Sequence, residues 1–364
     1  MVPVVALDRR GARIAEQFGE TARRICASGA LLLGTETAAF EAEFSRWTGG
    51  AHTVAVSSGA SALQLALAAI GVGPGDEVIV PAFTAVPTAA AVCALGATPV
   101  FVDVQRETAN LDPTLVAAAR TSRTRAVIVV HLYGRPATLP DTDLPIIEDA
   151  AQAHGAIIHD NRSAAVAYSF YPTKNLGGIG DGGAVVTHNG ELADQVRCRR
   201  AHGMRALYVH EMVSQNFRMS ELEAAWLRLC LPSLTADNQR RRSIAARFHA
   251  TAGHLVWHSP HERHVYHLCV FRSAHRDDVR KQLAAAGVAT SVQYPLSLDA
   301  QPAYAQFANT QVANTQVANA RAAGATAYPQ ATAWARECIS VPCFPEMTEA
   351  EVAHVSQVLM QVPS

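Results

Sequence analysis

Two of the thirty basic residues in this chain are lysines, Lys174 and Lys281, and the first stands in Ser169-Phe-Tyr-Pro-Thr-Lys174-Asn175, just before the glycine-rich run Gly177-Gly-Ile-Gly-Asp181-Gly-Gly183. Arginine serves solvation and surface charge as well as lysine does, and it is the basic residue this chain otherwise uses. A guanidinium stays protonated, whereas a lysine amine can lose its proton and attack a carbonyl carbon. Lys174 is therefore read as a chemical residue. Asp149 closes the apolar run Leu144-Pro-Ile-Ile-Glu-Asp149. A carboxylate at the end of a strand lies at the sheet edge where ligands sit, and it can hold a pyridinium proton. In Val56-Ser57-Ser58-Gly59-Ala60-Ser61 a strand passes into a helix through small residues, so that backbone N–H groups and the helix dipole can meet a phosphate. Ser169 adds a hydroxyl close to Lys174. Schiff-base lysine, pyridinium acid and phosphate cup are together what pyridoxal phosphate (PLP) needs.

The surrounding pattern supplies elements to hold these groups. From residue 50 to about 190, helix-like and strand-like segments alternate: a helix over Ser61–Ile70, a strand over Glu77–Val80, an alanine-rich helix over Ala89–Leu95 and a strand over Pro99–Asp103. Asp112 and Pro113 start a helix through Arg120, and strands follow at Arg125–Val130 and Leu144–Asp149. Short apolar strands between helices predict an α/β fold, a mostly parallel sheet flanked by helices. Such sheets bind ligands at the carboxyl ends of their strands. After Ser220 come helices over Glu221–Leu231 and Asn238–Ala250, strands over Val265–Phe271 and Val288–Tyr294, a helix over Arg276–Ala286, and a closing helix over Thr348–Gln361. This predicts a smaller C-terminal α+β domain, with a large PLP-binding domain over 1–235 and the small domain over 236–364. The repeat Asn309-Thr-Gln-Val-Ala313, Asn314-Thr-Gln-Val-Ala318 is too short for a solenoid.

With 30 basic against 31 acidic residues, the formal charge is −1, so neither a nucleic acid nor a membrane surface is an expected partner. Seven cysteines without a C-x-x-C pair read as thiols in a reducing compartment. The opening residues lack the apolar core of a signal peptide, and no apolar run is long enough to span a bilayer. The expected location is the cytoplasm. His258, His261, His264 and His267 recur every third residue, which on an extended chain sends alternate side chains to opposite faces and suits no single metal. No metal is expected. The run Gly177–Gly183 lacks the Walker lysine-serine ending and the strand-to-helix Rossmann spacing.

Beyond these readings, the chain resembles a known family. Ser58-Gly-Ala-Ser-Ala-Leu63, Gly73-Pro-Gly-Asp-Glu-Val-Ile-Val-Pro81, Val102-Asp103, His131-Leu-Tyr-Gly134, Ile147-Glu-Asp-Ala-Ala-Gln-Ala-His-Gly155 and Ser169-Phe-Tyr-Pro-Thr-Lys-Asn-Leu-Gly177 closely resemble the DegT/DnrJ/EryC1/StrS aminotransferases, nucleotide-sugar enzymes of PLP fold type I. The likeness continues through Asn216-Phe-Arg-Met-Ser-Glu221, Tyr266-His-Leu268 and Tyr294-Pro295. It implies that Lys174 joins PLP as a Schiff base and then works as general base and acid, and that Asp149 faces the pyridine nitrogen. It further implies that Gln152 lies near the phenolic oxygen, that Gly59, Ala60, Ser61 and Ser169 bind the phosphate, and that Asn216 completes this site from the neighbouring subunit of a homodimer. The activity implied is transfer of an amino group, usually from L-glutamate, to an NDP-linked 3-keto- or 4-keto-6-deoxyhexose in amino-sugar biosynthesis. The tract Ser169–Thr187 and the ending of Val265–Arg272 most resemble the branch of the family that acts at the sugar 3-position. The alternatives are amination of a cyclitol ketone in an aminoglycoside-type pathway and a PLP-binding regulatory homologue without turnover.

Three departures stand out against that resemblance. Ala85, in Phe83-Thr-Ala-Val-Pro87, takes the place of an aromatic that stacks on the cofactor ring in relatives, which leaves Phe83 to compensate. Gln293 and Asp299 stand where the family often has histidine. The segment Leu139-Pro-Asp-Thr-Asp-Leu144 is short and lacks a helix before the strand that ends at Asp149.

Overall fold

The computed structural model describes residues 1–157, 159, 161–310 and 327–363. Residues 311–318 of the direct repeat lie outside them. Helices α1 (Leu7–Ser28) and α2 (Thr35–Thr48) precede β1 (His52–Val56), α3 (Gly59–Ala69), β2 (Glu77–Pro81), α4 (Val86–Cys93), β3 (Thr98–Val102), α5 (Val116–Ala119), β4 (Thr124–Val130), β5 (Ile146–Asp149), β6 (Ala165–Ser169) and β7 (Gly183–Thr187). These seven strands form one sheet in the order β1-β7-β6-β5-β4-β2-β3. Its strands carry almost unbroken Val, Ile and Ala because helices cover both faces.

Strand β7 is antiparallel to both β1 and β6, while every other pair is parallel. The six remaining strands therefore point the same way. The carboxyl ends of β1, β5 and β6 share one edge of the sheet, and Gly183, at the start of β7, pairs with both Val56 and Ser169. One edge thus gathers the turn after Val56, Asp149 at the end of β5 and Ser169 at the end of β6.

Next come α6 (Gly190–Arg200), the ribbon β8 (Met204–Ala206) and β9 (Val209–His210), α7 (Glu221–Cys230) and α8 (Leu234–Thr251). They are followed by β10 (Val256–Trp257), β11 (Cys269–Arg272), α9 (Arg276–Ala285), α10 (Ala305–Thr310), a helix over Pro329–Glu337, β12 (Cys338–Val341) and a closing helix over Glu349–Leu359. Strands β10, β11 and β12 form a second, antiparallel sheet. Ile244 and Phe248 of α8, Val279 and Leu283 of α9, and Val352, Val355 and Leu359 of the closing helix pack together over it. Thr348 starts that last helix with a capping box to Glu351.

Three expectations are corrected. The strand predicted over Val265–Phe271 exists only from Cys269, because the earlier N–H groups go elsewhere: Val265 N donates to Gly134 O and Leu268 N to Tyr133 O, and Tyr266 has a φ of 43°. Val288–Tyr294 forms no strand, only single bridges from Val288 to Val2 and from Ser291 to Ser340. The helix predicted over Asp112–Arg120 is a 3-10 turn, Pro113–Leu115, followed by the four-residue α5, with Asp112 capping Thr114 N at 3.0 Å. No helix forms over Leu139–Leu144, in line with the sequence.

Candidate active site

At the sheet edge Asp149 is buried and Lys174 half-buried, and each is held partly by a side chain far away in sequence, Thr88 for Asp149 and Arg10 for the Lys174 loop. The Lys174 loop is clamped from α1, where the buried Arg10 donates from Nη1 to Pro172 O at 2.9 Å and to Lys174 O at 3.0 Å. On its other side, Asn175 Nδ2 donates to Asn238 Oδ1 at 2.8 Å and to Val265 O at 3.1 Å, while Asn175 Oδ1 meets His267 Nδ1 at 3.2 Å. Desolvation lowers the Lys174 amine to about 8, with Asp149 pulling the other way. An amine in that range is partly neutral at physiological pH, which a nucleophile requires.

The Asp149 carboxylate accepts from Thr88 Oγ1 at 3.0 Å and from Ala151 N at 3.1 Å. Desolvation raises its pKa, against the pull of those two donors and of Lys174. A buried acid of this kind becomes a firm anion once a cationic partner is placed against it. Thr88 escaped the sequence reading. Pro87 marked the first turn of α4, but nothing local says that this turn reaches the end of β5.

Gln152 is gripped at both ends: Oε1 accepts from Tyr133 N at 2.6 Å and Nε2 donates to Tyr294 OH at 3.1 Å. At the α3 N-terminus, Ser58 and Ser61 form a capping box. Among the described residues no acceptor takes the N–H groups of Gly59 and Ala60. Gly59 is pressed against β6 so closely that a Cβ would lie 2.5 Å from Ser169 Cβ. Glycine is therefore required there, and it puts the helix start beside the Ser169 hydroxyl. Unclaimed N–H donors at a helix N-terminus, with a hydroxyl alongside, suit the phosphate of PLP. The buried Asp149 suits its pyridinium and the half-buried Lys174, its amine lowered to about 8, suits its aldehyde, so the residues present fit the group.

A cavity of about 320 Å³ opens beside Lys174 and Gln152, lined among others by Arg241, His267, Gln293 and Tyr294. Asn216 does not join it within the protomer: its side chain is exposed, and its Oδ1 accepts from Arg218 Nε at 3.0 Å. Phe83 is fully buried between Tyr294 and Trp334, with ring centroids at 6.2 and 6.3 Å, so it belongs to the core. It does not replace the aromatic missing at Ala85.

The remaining histidines sort by partner. His131 Nδ1 accepts from Ala137 N at 2.9 Å, which makes Nε2 the protonated nitrogen that donates to Glu148 at 2.8 Å. That ring is structural. His258 Nε2 donates to Thr108 O at 2.7 Å, His264 Nε2 to His258 Nδ1 at 3.2 Å, and Tyr266 N to His264 Nδ1 at 2.9 Å. His267 faces Asn175 instead, so these rings do not converge. His154 is fully buried, and desolvation drops it to about 3, with Lys174 adding to the effect and the Ser169 backbone opposing it.

A model of the DegT/DnrJ/EryC1/StrS aminotransferase family matches residues 12–360. The chain belongs to this family. A dTDP-3-amino-3,4,6-trideoxy-α-D-glucose transaminase of Streptomyces venezuelae is 42% identical over 348 residues, covering 91% of this chain and 88% of its own. The crystal structure of DesV from S. venezuelae in complex with a ketimine intermediate superimposes with a TM-score of 0.89 at 38% identity, covering 99% of this chain and 98% of that one. NtdA from Bacillus subtilis, solved with the cofactor PMP bound, has a TM-score of 0.86 at 28% identity and covers 99% and 85%. Membership of the DegT/DnrJ/EryC1/StrS family matches the resemblance in the motifs and the α/β architecture expected from them. Among the described residues, no helix is long and apolar enough to cross a membrane.

Proposed function

We propose that this protein is a PLP-dependent aminotransferase that moves nitrogen from L-glutamate to the keto group of an NDP-linked keto-6-deoxyhexose. The observation that carries the reading is the pairing of Lys174, lowered to about 8 by burial, with the buried Asp149 at one sheet edge. The S. venezuelae relative, whose name places the amino group at sugar position 3, supports the 3-keto over the 4-keto acceptor.

Lys174 is the Schiff-base residue and Asp149 the partner of the pyridine nitrogen. Gly59, Ala60, Ser61 and Ser169 take the phosphate, and Gln152 sits by the phenolic oxygen. When bound, PLP supplies an electrophilic carbon and an electron-withdrawing ring. With the cofactor bound, the freed Lys174 Nζ would be the base that accepts the proton from the donor's substrate carbon and the acid that delivers it to the cofactor carbon to which the nitrogen is bonded, the same amine reversing both transfers for the acceptor. Asp149, its carboxylate held in place by Thr88, would face the ring nitrogen and keep it protonated. The Asn175–Asn238–Val265 bonds and Arg10 keep the Lys174 loop from drifting when its amine is released.

The working unit is a homodimer in the cytoplasm, with Asn216 entering the partner's site. Asn216 is exposed, and exposed apolar residues, Tyr208 and Val213 on the same excursion and Leu32 bridged to Ser220, support this assembly. The large PLP-binding domain ends near residue 235 and the small domain follows, a division supported by the apolar cluster over β11 and β12, to which the N-terminal Val2 and Ala6 also belong.

An absorbance spectrum with and without L-glutamate tests the reaction. Wild type shows a visible band that moves towards the pyridoxamine form, and Lys174→Ala shows no such band. Protein that binds PLP and converts it with no amino donor would overturn the proposal.

A further inference from the structure

On the side of the small sheet, the cavity beside Lys174 is closed by the segment Ser291–Tyr294. Ser291 and Ser340 bond through their main chains in both directions, at 3.1 and 2.9 Å, which fixes this segment to β12. Their hydroxyls then converge on one atom. Ser291 Oγ donates to Gln293 Oε1 at 3.1 Å and Ser340 Oγ donates to it at 2.8 Å. The Gln293 carbonyl accepts the Tyr133 hydroxyl, and the Tyr294 hydroxyl accepts from Gln152.

A carboxamide carries its oxygen and nitrogen on one carbon, so pinning Oε1 turns Nε2 the other way. Among the described residues, nothing accepts from Gln293 Nε2. The half-buried Gln293 lines the same cavity as Lys174, Gln152 and Tyr294. A residue that lines the cavity, its amide oxygen held by two hydroxyls and its amide nitrogen left with two protons to donate, suits an oxygen of something that enters.

We propose that Gln293 is a specificity-determining residue for the acceptor sugar, its Nε2 donating to a sugar oxygen, with Ser291 and Ser340 as positioning residues. This rests on the aminotransferase reading above. A carboxamide does not titrate, so the contact has the same strength across the working pH range. An imidazole there would exchange donor for acceptor as its charge changed.

The test runs the reaction backwards with a stable probe, dTDP-3-amino-3,4,6-trideoxy-α-D-glucose, and 2-oxoglutarate as nitrogen acceptor. Calorimetric binding of the same sugar to PLP-free protein gives a second readout. Gln293→Met, which keeps the length and loses the donor, raises the KM for the sugar and its Kd about tenfold. Gln293→Glu, which keeps the serine bonds and replaces the donor by an anion, raises them at least as much. Ser340→Ala gives a smaller rise of about threefold. The half-reaction with L-glutamate stays within about twofold of wild type in all three, which also shows that they fold. Equal sugar binding by wild type and Gln293→Met, unchanged binding in Gln293→Glu, or an equal loss in the glutamate half-reaction each overturns the role of Gln293 alone. Wild type that exchanges nitrogen with L-glutamate but neither binds nor converts the nucleotide sugar overturns the acceptor reading, and the Gln293 assignment with it.

Discussion

The Thr88 hydroxyl donates to Asp149 Oδ2 at 3.0 Å, joining the first turn of α4 to the end of β5 across 61 residues of sequence. Together with Ala151 N on Oδ1, it fixes the rotation of the carboxylate, so that one orientation faces the site. Thr88→Val keeps the shape and removes the donor. Loss of one hydrogen bond to a buried charge costs about 1.5–3 kcal/mol. Steady-state kinetics should therefore show kcat/KM falling roughly 10- to 100-fold, with the fold unchanged by circular dichroism. Activity like that of wild type would mean that Asp149 needs no second donor.

The two lysines permit a clean test of the buried amine. Lys174 titrates near 8, below its ordinary 10.5, because burial disfavours its charge. Between those values the unfolded chain holds a proton that the folded one has released, so PLP-free protein gains stability as pH rises across that window. Acetylation by a trace of acetic anhydride, read by mass spectrometry at graded pH, should show Lys174 becoming reactive with a midpoint near 8. The exposed Lys281 serves as internal reference. A Lys174 midpoint above 10 would refute the reading.

Glu223 lies beneath the glycine-rich run, where Oε2 accepts from Gly180 N at 2.9 Å and Oε1 is buried against Gly178. A Cβ on Gly178 would come within 1.5 Å of that oxygen. Desolvation raises Glu223 to about 7, with the nearby Asp181 adding to the effect. Between 4.5 and 7 the folded state keeps a proton that the unfolded state has lost, so this group makes stability fall as pH rises through that range. Glu223→Gln removes that slope. In melts at pH 8 the variant should exceed wild type by roughly 3 °C, and at pH 4 the two should agree.

Self-association has its own readout. Tyr208 and Val213 are 83% and 99% exposed in the single chain, near Asn216 on the same excursion between α6 and α7. The double change Tyr208→Glu and Val213→Glu should shift the protein towards monomer in light scattering and lower its PLP retention, since Asn216 could no longer reach a partner. A protein that is monomeric and fully active before any change would remove the shared-site proposal.

Local sequence determined the chemistry of individual positions. A lysine in a chain built on arginine, an aspartate ending an apolar run and small residues at a helix start are each legible because propensity and side-chain chemistry act over a few residues. The same reasoning failed at Val265–Leu268, where β-forming residues stay out of the sheet because their N–H groups bond to Tyr133 and Gly134. It failed again for Phe83, whose direction depends on Tyr294 and Trp334, more than two hundred residues further on. Only the tertiary structure decided who meets whom. Strand β7 runs antiparallel between β1 and β6, and that crossing brings the phosphate cup to Ser169 and Asp149. Thr88 on Asp149, Arg10 on the Lys174 carbonyl and the two serines on Gln293 likewise follow from strand order and packing. Hydrophobic periodicity says which face of an element is buried and nothing about which element covers it.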